Sequence, residues 1–170
     1  MVNTLKFFQH FRNNPALGKY FWLSITLLVI DRLSKSIAIE ELQDKPGVFF
    51  DLMRPVIFGF RLSFNENLAL SIPLSQQVSI VLSAIIIFSL IIIAAKSLEK
   101  GRFKQAGWWW LLLLFAASNL YDRIIYTGVI DFIYFELPPF KATIFNLADI
   151  GILIALFQIT IKHLFNNIRE

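Results

Sequence analysis

The sequence predicts an all-α polytopic membrane protein with four transmembrane helices and a small external β-sheet between the first and second helices. Three observations carry that prediction. The 170 residues are 56% hydrophobic and 16% charged, with 18 Phe, a balance too apolar for an ordinary soluble domain. Four stretches, residues 20–39, 78–95, 106–122 and 140–161, approach the ~20 apolar residues that a helix needs to cross a bilayer. Basic residues gather before the first stretch, between the second and third, and after the fourth, as expected of loops left in the cytoplasm. Residues 1–170 are read as a single integral membrane domain.

The elements follow in order. Phe7, Phe8 and Phe11 with Lys6 and Arg12 suit a short interfacial helix. The segment lacks an uninterrupted apolar core and a small-residue cleavage site, so it is expected to stay attached. The first crossing carries Asp31 and Lys35 towards its end. The connection 40–77 is rich in aromatic and β-branched residues and is broken by Pro46, Gly47, Pro55 and Gly59, which is a pattern of short strands. Such a sheet serves either as a structural cap or as an edge that grips an extended peptide. The second crossing has no charge between Val78 and Ala95 and reads as scaffold facing lipid. Lys96, Lys100, Arg102 and Lys104 fill the next connection, the third crossing ends at Asp122, and Pro138-Pro139 turns the chain back into the fourth. Both termini are then cytoplasmic, with the acids near the outer leaflet, although Lys45, Arg54, Arg61 and Lys141 weaken the charge bias.

Several chemistries are excluded. Without cysteine there is no disulfide, thiolate nucleophile or Cys-ligated metal. The two histidines, His10 and His163, lie near opposite ends of the chain and support neither a metal site nor a Ser-His-Asp triad. No cofactor and no metal are expected. The net charge of +4 is spread over membrane flanks rather than gathered in one patch, so nucleic acid is not an expected partner.

What remains is a set of polar residues in an apolar background, where ionisable side chains are costly and usually functional. Asp31 and Lys35 are spaced i and i+4 on one helix face, which fits an interfacial salt bridge or contacts with neighbouring helices. Asn119 and Arg123 share that spacing, with Asp122 beside them, as a helix-end cap with an ion pair or as part of a larger site. Asp131 follows the third helix. If the fourth helix starts near Phe140, Asp149 lies nine residues, or about 13 Å, along it, with Asn146 on the same face. Topology brings Asp131 and Asp149 to one side of the membrane. Two carboxyl groups in a poorly solvated place do not both ionise, so one keeps a proton while the other is charged. That is the acid and base pair of an aspartic protease.

These motifs resemble lipoprotein signal peptidase, or signal peptidase II, the bacterial inner-membrane aspartic protease family. Asp31-x-x-x-Lys35 resembles its first motif, Asn119-x-x-Asp122-Arg123 its third, Gly128-Val-Ile-Asp131-Phe its fourth, and Phe145-Asn-x-Ala-Asp149 its last. The resemblance implies that Asp131 and Asp149 are the catalytic dyad, with Asn65, Asn119, Asp122, Arg123, Asn146, Asp31 and Lys35 in support. The second motif departs. The family usually reads Asn-x-Gly-Ala-Ala-Phe-Ser, whereas this chain has Asn65-Glu-Asn-Leu-Ala-Leu-Ser71. Asn67 tolerates positive φ better than most non-Gly residues, so the turn is expected to survive while the bulkier Leu68 reshapes the groove.

The resemblance also implies the partners: a prolipoprotein whose cysteine carries diacylglycerol, cut on the amino side of that cysteine, together with membrane lipids. A monomer is expected. Competing readings are an inactive or specialised paralogue that binds lipidated peptides, a small ion or proton transporter, and a noncatalytic assembly subunit. A transporter needs acids distributed through the bilayer depth, whereas these gather near one side.

Overall fold

The computed structural model describes residues 15–53, 56–66 and 75–167. The interfacial segment around Lys6 to Arg12, Arg54, and the altered motif from Asn67 to Ser71 lie outside the described residues. Four helices, α1 (Pro15–Leu42), α2 (Gln76–Glu99), α3 (Phe103–Tyr126) and α4 (Leu147–Asn167), are joined by strands β1 (Val48–Met53), β2 (Val56–Asn65), β3 (Val129–Glu136) and β4 (Thr143–Phe145).

Alternating helix direction sets the layout. Tyr20 of α1 meets Gly107 of α3, and Lys35 bonds Asn119 further along both, so α1 and α3 run parallel. Gln76 at the start of α2 donates to the Arg123 carbonyl near the end of α3, and Gly151 of α4 meets Phe115 of α3, so α2 and α4 run the other way. The ends of α1 and α3 and the starts of α2 and α4 therefore converge at the sheet. Nearly every inward-facing polar residue is delivered to that end.

The third helix is the hub. Leu111, Leu112, Leu113 and Phe115 are buried with Leu90 of α2 and Ala148 and Ala155 of α4. Close approach depends on two glycines: a Cβ on Gly107 would lie 2.5 Å from Tyr20 Cγ, and one on Gly151 would strike the Phe115 ring. By contrast α2 turns Val81, Ile85, Ile86 and Phe88 outward, the opposite of a soluble fold and the expected face towards lipid. Among the described residues α2 is the one helix that is, by length and composition alone, apolar enough to cross a membrane. The other three carry charged or amide side chains that they bury against one another.

The sheet is small, as the sequence predicts, but differs from that expectation in origin. It is a four-stranded antiparallel sheet in the order β1-β2-β3-β4, and its last two strands come from the connection between α3 and α4 rather than from residues 40–77. The run Val129-Ile-Asp-Phe-Ile-Tyr-Phe-Glu136 is β-branched and aromatic and favours a strand. Thr127 at φ 66 ends α3 in the left-handed region, which turns the chain into β3.

The start of the fourth helix is also corrected. Residues 143–145 pair with β3, Ile133 opposite Phe145 and Phe135 opposite Thr143, so helix formation waits until Leu147. Asp149 consequently stands in the first turn of α4 rather than about 13 Å down a helix that begins at Phe140. A second core of Ala38, Phe132 and Ile133 ties the sheet to the end of α1.

Candidate active site

Asp131 owes its position to a break in the sheet. Asn65 pairs with Val129 and Ser63 with Asp131, and the register slips between Phe60 and Ser63, a bulge of the kind that re-aims side chains. Val129 and Asp131 share a face because strand side chains alternate. Asn65, opposite Val129, thus reaches diagonally to donate from Nδ2 to Asp131 Oδ2 at 3.0 Å. A Cβ on Gly128 would come within 3.0 Å of the Asn65 backbone, so the glycine lets β2 and the start of β3 come together.

Asp149 owes its position to a helix cap. Asn146 precedes α4 and accepts from Asp149 N through Oδ1 at 2.9 Å, while Asp149 Oδ2 accepts from Asn146 N at 3.4 Å. This reciprocal pair is a capping box with aspartate at its third position. The same Asn146 donates from Nδ2 to Asp131 Oδ1 at 2.7 Å. One amide therefore holds both acids. Asn119 completes the ring, donating to Asp149 Oδ1 at 2.8 Å.

Beneath the two acids lies a buried charge cluster. Lys35 Nζ sits 3.1 Å from Asp31 Oδ2 and 2.7 Å from Asp122 Oδ2, with all three side chains fully buried. Its third bond goes to Asn119 Oδ1 at 2.9 Å, which fixes the amide so that Nδ2 faces Asp149. Asp31 Oδ1 accepts from Ala148 N at 2.9 Å, so a carboxylate stands at the N-terminus of α4, where helix polarity favours it. Arg123 donates to the Asn119 carbonyl at 3.3 Å and sits in the field of Asp149, Asp131 and Asp122. All nine residues singled out from sequence thus belong to one connected region.

Sequence reasoning missed three members. Arg32 pairs with Asp122 and lies 4.6 Å above the Tyr121 ring. Ser118 Oγ donates to Asp31 Oδ2 at 2.6 Å, and Gln76 holds the end of α3. The signal for Ser118 was available, since it stands four residues before Asp122 and shares its face. Arg32 was overshadowed by the i, i+4 pairing of its neighbours.

The site opens on one side into a polar groove of about 430 Å³ that reaches Asp131, walled by Ser63, Asn65 and Glu66 on one flank and Thr143 and Ile144 on the other. Burial, and then the charge of Asp149, push the Asp131 carboxyl up to about 7, against the pull of the Asn65 and Asn146 hydrogen bonds. Near neutral pH a carboxyl raised this far can hold a proton, and it lies beside a groove with a polar lining. Among the described residues no cluster of His, Cys, Asp and Glu suits a metal ion.

Residues 23–165 match the family model described as Signal peptidase (SPase) II. The lipoprotein signal peptidase of Buchnera aphidicola subsp. Schizaphis graminum is 31% identical over 155 residues, covering 88% of this chain and 98% of the relative. That of Synechococcus sp. strain RCC307 is 33% identical over 150 residues, covering 85% and 95%. A bacterial membrane enzyme solved by the in meso method at 2.3 Å shares the fold, with a TM-score of 0.68 and 22% identity over 88% of this chain and 90% of that one.

Proposed function

The chain belongs to the signal peptidase II family, and from that premise we propose that Asp131 and Asp149 are its catalytic dyad, working on a lipidated peptide bound beside β2 and β3. It is an integral membrane protein of bacterial type and a peptidase that removes signal peptides from prolipoproteins. The observation that carries the dyad is the double role of Asn146, which caps α4 through Asp149 and donates to Asp131.

The chemistry follows from the shared proton. The ionised carboxylate takes a proton from water as the water oxygen attacks the scissile carbonyl. The protonated partner gives its proton to the carbonyl oxygen. Collapse of the tetrahedral intermediate breaks the C–N bond, and the amine leaves with a proton returned by the dyad. Asn65, Asn119 and Asn146 hold the carboxyl groups without supplying a competing charge. Lys35 and Arg123 moderate the negative field from below.

In this reading all four helices span the inner membrane, both termini are cytoplasmic, and the sheet end with its acids lies near the outer leaflet. The basic flanks and the alternating helix directions support it. The substrate is a prolipoprotein with a diacylglyceryl cysteine, cut on the amino side of that cysteine by a monomeric enzyme. The apolar outer faces of the helices give acyl chains access from the bilayer while the groove receives the peptide. The test is purified protein with matched substrates that carry or lack the diacylglyceryl group, with the product N-terminus sequenced. Cleavage before cysteine in the lipidated substrate alone is expected. Equal cleavage of both, or cutting elsewhere, refutes the substrate assignment.

A further inference from the structure

At the end of the bundle opposite the acids, α1, α2 and α3 enclose an apolar groove of about 210 Å³, lined among others by Leu17, Phe21, Ala94, Ala95, Gly107 and Trp110. Gly107 stands twelve residues before Asn119 on α3, which at about 1.5 Å per residue puts the groove about 18 Å from the acid site. Its bulk exceeds the roughly 150 Å³ apolar cavity that suffices to take benzene. Small side chains make the room, and the lining residues Ile91 and Ala95 are exposed on the outer surface of the bundle, so the groove is open at the side.

Charge decides which hydrocarbon. Lys19 lies beside Tyr20 of the groove wall, Lys96 follows Ala95, and Lys100, Arg102 and Lys104 lead into Ala106. All five are exposed and none makes an ion pair among the described residues, and the stretch from Lys96 to Lys104, across the end of α2 and the start of α3, offers one acid, Glu99, against its four cations. A second copy of the chain is disfavoured as occupant, because it would bring the same cations against these. An anionic headgroup above an acyl chain satisfies both halves of the surface.

We propose that this groove is a binding site for one acyl chain of an anionic glycerophospholipid, whose headgroup is held by Lys19, Lys96, Lys100, Arg102 and Lys104. The site is separate from the peptide groove and rests on the reading of the bundle as membrane-spanning. It anchors the starts of α1 and α3 and the end of α2 at a common depth.

The experiment uses the full chain in vesicles of zwitterionic phosphatidylcholine containing either brominated phosphatidylglycerol or brominated phosphatidylcholine, with quenching of tryptophan fluorescence as the readout. Native mass spectrometry of lipid retained by the detergent-released protein runs alongside. Preferential quenching and retention of the anionic lipid are expected. Ala95→Phe, which fills the groove, removes the retained lipid. The triple variant Lys96→Gln, Lys100→Gln, Lys104→Gln changes exposed positions that no packing depends on, so it keeps the test alive if the first variant fails to fold. It lowers the anionic preference by on the order of a hundredfold, at about fivefold per cation. Prolipoprotein cleavage is measured on the same samples, so failure of the lipid site and failure of the protease reading are read separately. Equal retention of both lipids by the unaltered chain, or a preference unchanged in the triple variant, overturns the proposal.

Discussion

Replacing Asn146 by alanine separates two tasks that one side chain performs. Its Oδ1 caps α4 by accepting from Asp149 N at 2.9 Å, and its Nδ2 donates to Asp131 Oδ1 at 2.7 Å. Losing the cap costs about 1 kcal/mol of stability. Losing a hydrogen bond to a charged group costs about 1.5–3 kcal/mol, and it falls on the ionised form of Asp131. At about 1.36 kcal/mol per pH unit, the Asp131 carboxyl therefore rises by roughly one to two units from its value of about 7. The assay is kcat/KM against pH for the unaltered protein, Asn146→Ala and Asn146→Ser. The alkaline limb of the unaltered enzyme is expected near 7, where the Asp131 carboxyl gives up its proton. Asn146→Ala lowers the plateau and moves that limb upward. Serine restores the cap and the melting temperature, but its shorter hydroxyl does not span to Asp131, so the limb stays displaced. An alkaline limb that does not move in a cleaving Asn146→Ala variant, or a full return to the original profile in Asn146→Ser, refutes the reasoning.

Lys35→Met leaves Asp31 and Asp122 buried without the cation between them, which costs about 3–5 kcal/mol; thermal unfolding in detergent should show a large fall, and a loss below about 1 kcal/mol contradicts the assigned network. Asp131 rises from 3.8 in its ordinary state to about 7 in the fold. For an acid with a raised value, the stabilisation is complete below pH 3.8 and is lost as pH climbs through about 7, on the order of 4 kcal/mol in all. Asp131→Asn should flatten the stability curve across that window, and an unchanged slope would show that Asp131 is not the buried acid responsible. Gly151→Ala forces a methyl into the Phe115 ring and should cost about 1–3 kcal/mol by pushing α3 and α4 apart, measured as a lower melting temperature; an unchanged one would mean that the helices part freely.

The helices were readable because their apolar runs are long, and the acids were readable because so few charges interrupt those runs. Asp31 and Lys35 followed from i, i+4 spacing alone, and the structure pairs them at 3.1 Å. Hydropathy alone places the fourth helix too early, since Phe140, Ala142, Ile144 and Phe145 extend its apolar run. What overrides its hydropathy is the pairing of residues 143–145 with β3, a long-range contact that local pattern does not carry. The same blindness confined the expected sheet to residues 40–77, although Val129 to Glu136 has strand composition throughout. Asn146 owes its second partner to the fold. Spacing put it beside Asp149, yet only the strand and the cap together show it bonded to Asp131 as well. Arg32 and Ser118 reach partners, Asp122 and Asp31, that lie across a helix interface more than eighty residues away, so spacing along one helix places them on a polar face without naming what they bond.

The central claim is that Asp131 and Asp149 share the catalytic proton, and the direct test is single-turnover cleavage of diacylglyceryl-modified prolipoprotein by Asp131→Asn and Asp149→Asn. Each amide keeps the shape of its carboxyl but neither takes a proton from water nor gives one up. Both variants should retain helicity and substrate binding while cleavage falls to background. Cleavage at an undiminished rate in either folded variant would contradict the account.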